Sequence, residues 1–192
     1  MTLLIKNVQI LGSEQKFQNP VDVFVNGDKI SAIGNFPGKS ADETVEGQGG
    51  YLSPGFIDVN TDSDHYLTIF DDRGQGDFLR QGVTTIIGGL CGASLAPLIY
   101  GSLESIQKWT NPNKINVSWH SVREFASALR ERPLGVNFGT LAGHSTIRRS
   151  LVGEAIRELT KNELGVFRGT LTRALKEGAF GLSTGLAYVH SR

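Results

Sequence analysis

The sequence predicts an α/β chain, with a small antiparallel β unit over residues 1–52 and parallel βα units over 53–192. Three observations carry this reading. Apolar residues alternate through the first fifty positions, short continuous apolar runs follow Pro54, and helix-start signatures stand between those runs. The 192 residues are 39% hydrophobic and include 24 glycines, a globular composition with many tight turns.

Leu3, Ile5 and Val8 to Ile10 frame a first strand, and Val21, Val23 and Val25 take every second position of a second. Asn26-Gly27 between VDVFV and KISAIG predicts a hairpin, because both residues tolerate positive φ. After Pro54 the runs at 56–59, 83–87, 136–141 and 179–182 read as parallel strands buried on both faces. Ser121 with Glu124, and Thr160 with Glu163, form capping boxes that each start a helix. Val122, Phe125, Ala126 and Leu129 then share one helix face before Pro133, and Leu164, Phe167, Leu171 and Leu175 share another before Gly178. Shorter helices are predicted over 76–80 and 103–109. Such βα units open an eightfold barrel or make most of a doubly wound sheet. A complete (β/α)8 barrel takes about 250 residues, more than follow the β unit.

Charge and cysteine usage narrow the partners. Nineteen basic and 19 acidic side chains balance to a net charge of zero, which argues against nucleic acid as the main partner. No stretch reaches the 18 or more apolar residues of a membrane span, and the opening MTLLIKNVQILG lacks the charge order of a secretory leader. A single cysteine, Cys91, makes a reducing cytoplasm the expected setting.

In parallel α/β folds chemistry gathers at the C-terminal ends of strands. After the first run, alternation places Asp58, Asn60 and Asp62 on one face, either as oxygen donors to a metal or polar substrate, or as a loop closed by Asx turns. After the second, Cys91 stands among glycines in GGLCG, as a thiolate ligand or nucleophile, or as a small buried apolar side chain. GGLCG lacks the Lys-Ser/Thr of a phosphate-binding loop. After the third, His144 precedes a helix start, where it is a ligand, an acid/base group or a loop tether; His120 is expected exposed, and His190 is close to the end. After the fourth, the hydroxyls of Ser183, Thr184 and Tyr188 either face a pocket or close backbone bonds.

Taken in chain order, the β unit followed by LSPGFIDVNTD, QGVTTIIGGLCG, VNFGTLAGHSTIR and EGAFGLSTGLAY resembles the amidohydrolase superfamily, and within it the N-acyl-D-amino-acid deacylases (D-aminoacylases), over residues 1 to 192. The resemblance implies that 1–52 are N-terminal strands of a β-sandwich and 53–192 the first four βα units of a (β/α)8 barrel. It implies a zinc-dependent hydrolase of the amide bond of N-acyl-D-amino acids. In that chemistry zinc lowers the pKa of a bound water and a carboxylate passes a proton to the leaving amine.

Cys91 takes the place of the family's thiolate zinc ligand, Tyr188 that of a tyrosine facing the substrate, and His144 with Arg148 matches a G-H-x-x-x-R pattern, in which His144 either meets the substrate or helps tie the third strand to its helix. The family's His-x-His falls on Asn60 and Asp62. Of these metal positions Asp62 binds zinc through oxygen, whereas Asn60 is a poor zinc ligand. The family's remaining histidines and its proton-shuttling aspartate fall beyond Arg192. One tight zinc site is therefore expected only in a full-length protein, and this polypeptide alone is expected to deacylate nothing. Its unpaired strand edges are expected to meet the remainder of the barrel or to self-associate. Two alternatives stand beside this: a hydantoinase-like or dihydroorotase-like cyclic-amide hydrolase, disfavoured by GLCG and the missing His-x-His, and a degenerate barrel kept for binding or assembly.

Overall fold

A computed structural model describes residues 1–12 and 20–188. His190 lies outside the described residues. The chain divides into two compact units, Met1–Pro54 and Gly55–Arg192.

In the first unit β1 (Thr2–Ile10), β2 (Val21–Asn26), β3 (Lys29–Gly34) and β4 (Glu43–Glu46) form one sheet in the order β3-β2-β1-β4, and β5 (Tyr51–Leu52) also pairs with β1. The hairpin falls where Asn26-Gly27 places it, with Gly27 at φ 63°. The unit is mixed rather than antiparallel throughout, because β4 and β5 both run parallel to β1. The 47–50 segment interrupts the pairing without reversing direction, so β5 resumes alongside Gln9 and Ile10 where β4 stopped at Lys6. Leu4, Val8 and Val23 are buried, and Asp22 is held among them by the backbone N–H groups of Asn7 and Phe36. Those two bonds pull the Asp22 carboxyl below the usual carboxylate range.

The second unit carries the parallel strands. β6 (Phe56–Asp58), β7 (Val83–Gly88) and β8 (Asn137–Thr140) pair in parallel in that order, and β9 (Ala142–Gly143) pairs in parallel with β10 (Leu182–Ser183). The helices are α1 (Thr68–Asp71), α2 (Gly76–Arg80), α3 (Val122–Glu131), α4 (His144–Val152) and α5 (Lys161–Lys176). Both capping boxes form, Ser121 with Glu124 before α3 and Thr160 with Glu163 before α5, each satisfying two end donors. Among the described residues no helix is long and apolar enough to cross a membrane.

Three expectations need correction. The helix at 103–109 reduces to a single 3-10 turn, Glu104–Ile106, because Leu103, Ser105 and Ile106 are all drawn into the core and leave no amphipathic face. The buried face of α5 is centred on Phe167 and Ala174, while Leu164 and Leu175 are exposed; the ring of Phe167 seats on His144 of α4 and sets the rotation. The apolar runs are not covered on both faces. Phe56, Ile57 and Val59 are 62%, 63% and 64% exposed, and Phe180, whose ring sits over Gly139 of β8, is 74% exposed. The core collects on the helical side instead, around Leu67, Leu95, Leu98, Trp119, Phe125 and Ile147.

Candidate functional site

The turn after β7 is the most constrained backbone in the second unit. Gly89, Cys91 and Gly92 all have positive φ, at 77°, 52° and 78°. A Cβ on Gly89 would stand 2.3 Å from the Leu141 carbonyl oxygen, so only glycine lets this turn reach the end of β8. Two buried side chains hold the turn. Asp64 accepts from the Gly89 N–H at 2.6 Å, and Ser183 accepts from the Gly92 N–H at 3.1 Å while donating to the Gly89 carbonyl. Burial pushes the Asp64 carboxyl up, against the opposing charge of His65. The other Asp64 oxygen is buried without a partner among the described residues. Of the two roles open to Ser183, the structure assigns backbone closure.

Cys91 leaves this turn exposed and unpaired in any disulfide. It opens on a cavity of about 250 Å³ that is also lined by Gln107, Lys108, Ser145, Arg149 and Tyr188. The Lys108 ammonium lies 3.0 Å from the centre of the Tyr188 ring and 3.9 Å from that of Trp109. Burial pulls its proton affinity down and the nearby Cys91 opposes this. Gly185 allows Tyr188 to fold back here, since a Cβ would meet the tyrosine ring at 2.5 Å and the Cys91 carbonyl oxygen at 2.6 Å. The structure thus brings Cys91 and Tyr188, from two strand ends, to one cavity.

Asn60 and Asp62 are arranged differently. The Asn60 N–H donates to the Asp58 carboxylate at 3.0 Å, which is an Asx turn, and Asn60 is exposed. Asp62 contacts His65 Nδ1 at 2.8 Å, and the other ring nitrogen of His65 meets the Ala93 carbonyl at 3.0 Å. Both ring nitrogens therefore face oxygen atoms. His65 is fully buried and stacks on Trp109 at 4.1 Å, and Asp62 is not among the residues that line the Cys91 cavity.

His144 does not line the cavity; its ring packs on Phe167 at 5.3 Å with Nδ1 buried and without a partner among the described residues. Burial, with Arg148 adding to it, pulls His144 below the usual histidine range. Arg148 is buried and donates to the carbonyls of Ala155 and Arg157, tying α4 to the loop after it. His120 is exposed, with its N–H on Glu124.

These donors do not by themselves make a zinc site. Catalytic zinc takes three protein ligands. Cys91 offers one, Asp62 is engaged by His65, and no group of three or more His, Cys, Asp or Glu side chains lies together among the described residues. A larger groove of about 520 Å³ between α3 and β8 is walled by Phe125, Leu129, Phe138 and Phe180. Its walls are mainly apolar, and its one carboxylate, Glu177, is paired with Arg173, so the smaller cavity is the better candidate.

Lys108, Arg149, His65 and Asp64 are not singled out by the sequence. The spacing of Asp62 and His65, three residues apart in a turn, is a local signal for His65; nothing local marks Lys108.

Comparison with known proteins places this arrangement. No protein-family model matches the chain. Over 167 residues it is 34% identical to a D-aminoacylase and 35% identical to an N-acyl-D-aspartate deacylase, both of Alcaligenes xylosoxydans xylosoxydans; these matches cover 87% of the chain and 34% and 33% of the relatives. A crystal structure of D-aminoacylase superposes with a TM-score of 0.82 at 30% identity, covering 98% of this chain and 39% of that one. The N-acyl-D-glutamate deacylase of Bordetella bronchiseptica, solved with zinc and a phosphonate inhibitor, gives 0.80 at 27% identity, covering 97% and 38%. The fold is therefore of the α/β amidohydrolase type. Within that class, the chain is similar to the D-aminoacylase (N-acyl-D-amino-acid deacylase) family over most of its own length. It spans about a third of the length of the curated relatives it matches.

Proposed function

We propose that the chain is the N-terminal portion of an amidohydrolase that splits the amide bond of N-acyl-D-amino acids, with the Cys91 cavity on its substrate side. In this reading β6, β7, β8 and the β9–β10 pair are opening strands of a (β/α)8 barrel, and the exposed Phe56, Ile57 and Phe180 face the remainder of that barrel. One observation carries the proposal: Cys91 and Tyr188, set at two strand ends 97 positions apart, line one cavity in a chain over 30% identical to known deacylases. The lone cysteine fits a reducing cytoplasm.

Amide hydrolysis needs a bound acyl-amine, an activated water and a proton for the leaving amine. The residues of this chain account for the first. Lys108, held over two aromatic faces, offers a fixed positive charge beside the thiol, and Tyr188 and Ser145 give the cavity polar walls. His144, kept neutral and packed on Phe167, sets the start of α4, from which Ser145 and Arg149 reach the cavity. Its proposed part in substrate binding is through that placement. Zinc and the proton-shuttling carboxylate enter this reading only with ligands beyond Cys91.

The test is a chimaera in which residues 1–192 replace the corresponding portion of Alcaligenes D-aminoacylase, assayed for release of the free D-amino acid. Activity that disappears in Cys91→Ala supports the proposal; a folded, inactive chimaera counts against it. The 192-residue chain itself is expected to lose zinc on dialysis, and stoichiometric zinc retained after dialysis would contradict the two-donor count given above.

A further inference from the structure

We propose that the cavity beside Cys91 is an anion subsite, in which the Lys108 ammonium receives one carboxylate of the ligand against a wall made by Arg149 and Ser145. The anion preference follows from the cavity itself, and only the identity of the ligand, an N-acyl-D-amino acid, rests on the deacylase reading.

The two cations of the cavity differ in what they have left to give. Arg149 is committed: its guanidinium donates to a Glu154 carboxylate oxygen at 3.3 Å and to the Glu104 carbonyl at 2.7 Å, and its side chain is only 11% exposed. It is a fixed wall. Lys108 has no carboxylate within ion-pair distance among the described residues. Its ammonium is held instead over the faces of Trp109 and Tyr188, and no Asp or Glu lines the cavity among those residues. A positive charge held in position at the cavity, with no carboxylate beside it, favours an anion there. At about 250 Å³ the cavity falls below the roughly 300 Å³ at which pockets for whole small molecules begin, so it takes one end of a ligand. Trp109, in contact with both Lys108 and Tyr188, supplies an optical report on that end.

The experiment is a titration of the 192-residue chain, followed by tryptophan fluorescence in a Trp119→Phe background so that Trp109 reports alone. The probes are N-acetyl-D-leucine, its uncharged carboxamide, acetate and inorganic phosphate. The carboxylate is expected to bind at least tenfold more tightly than the carboxamide and to weaken as salt is raised. Lys108→Met is expected to remove that tenfold difference while Lys108→Arg keeps most of it; Lys108 is exposed, and unchanged melting of both variants checks that the fold is intact. Acid and carboxamide binding equally well, or equal binding of the acid to the parent and Lys108→Met, would overturn the subsite and leave the deacylase reading standing. Lys108-dependent binding of acetate and phosphate, with no tighter binding of the acyl amino acid, would keep the anion subsite and count against the deacylase reading. No binding of any anion overturns the subsite.

Discussion

The two sides of the second unit are built to different standards. On the helical side, Leu67, Leu95, Phe125 and Ile147 are all but fully buried, both long helices start from complete capping boxes, and buried hydroxyls close the turns. On the open side, Phe56, Ile57, Val59 and Phe180 stand more than 60% exposed on or beside strands that still pair in parallel, with one register shift between Phe56 and Ile57. The strands therefore do not owe their pairing to being sandwiched. Helical packing on one side and the parallel ladder fix them, and the open side is left as an apolar surface of the kind that marks an interaction site.

That comparison can be broken by substitution. Phe125→Ala, on the closed side, is expected to cost about 3–5 kcal/mol, because the ring touches both Trp119 and Phe138 and little can collapse into its place. Ile57→Ser, on the open side, is expected to change stability by no more than about 0.5 kcal/mol. Urea unfolding measures both, and equal losses would remove the distinction between the sides. A smaller effect is expected at the helix starts: Ser121→Ala removes the acceptor for the Glu124 N–H and should cost about 1 kcal/mol by the same measurement. A loss below a few tenths would mean that the cap is redundant with packing of Val122 and Phe125.

The mildest test is a titration. Arg157, with help from the Thr160 N–H, holds the Glu163 carboxyl down to about 2 from its ordinary 4.5. A depressed carboxyl gives its stabilisation in full above the unfolded value, and loses it as pH falls from 4.5 toward the folded value. Carboxyl-carbon NMR should show Glu163 titrating well below the other glutamates; a midpoint near 4.5 would show that the cap does not persist in solution.

What could be read from the sequence divides along the same line. The hairpin at Asn26-Gly27 and the starts of α3 and α5 were legible because each depends on residues within four positions of one another. The strand positions of the second unit were legible from short apolar runs, but not their exposure, which depends on what lies opposite. The face of α5 was legible at Phe167 and Leu171 but not beyond them: periodicity also offers Leu164 and Leu175, which are exposed, while Ala174 is buried. In the candidate site, Cys91 and Tyr188 could be found as strand-end residues, whereas Lys108 and Arg149 come from a loop and a helix interior and join them only through the fold. Asp62 could be found, but its engagement by His65 could not, because that bond depends on a ring buried against Ala93 and Trp109.

The central claim is that an N-acyl-D-amino acid sits in the cavity on which Cys91 opens. Cys91 is the only cysteine of the chain, so its rate of alkylation by iodoacetamide reads the cavity without ambiguity. Saturating N-acetyl-D-leucine is expected to slow that reaction severalfold, with the L enantiomer protecting less. An alkylation rate unchanged by either enantiomer, at concentrations where binding is seen by another method, would place the substrate elsewhere and contradict the account.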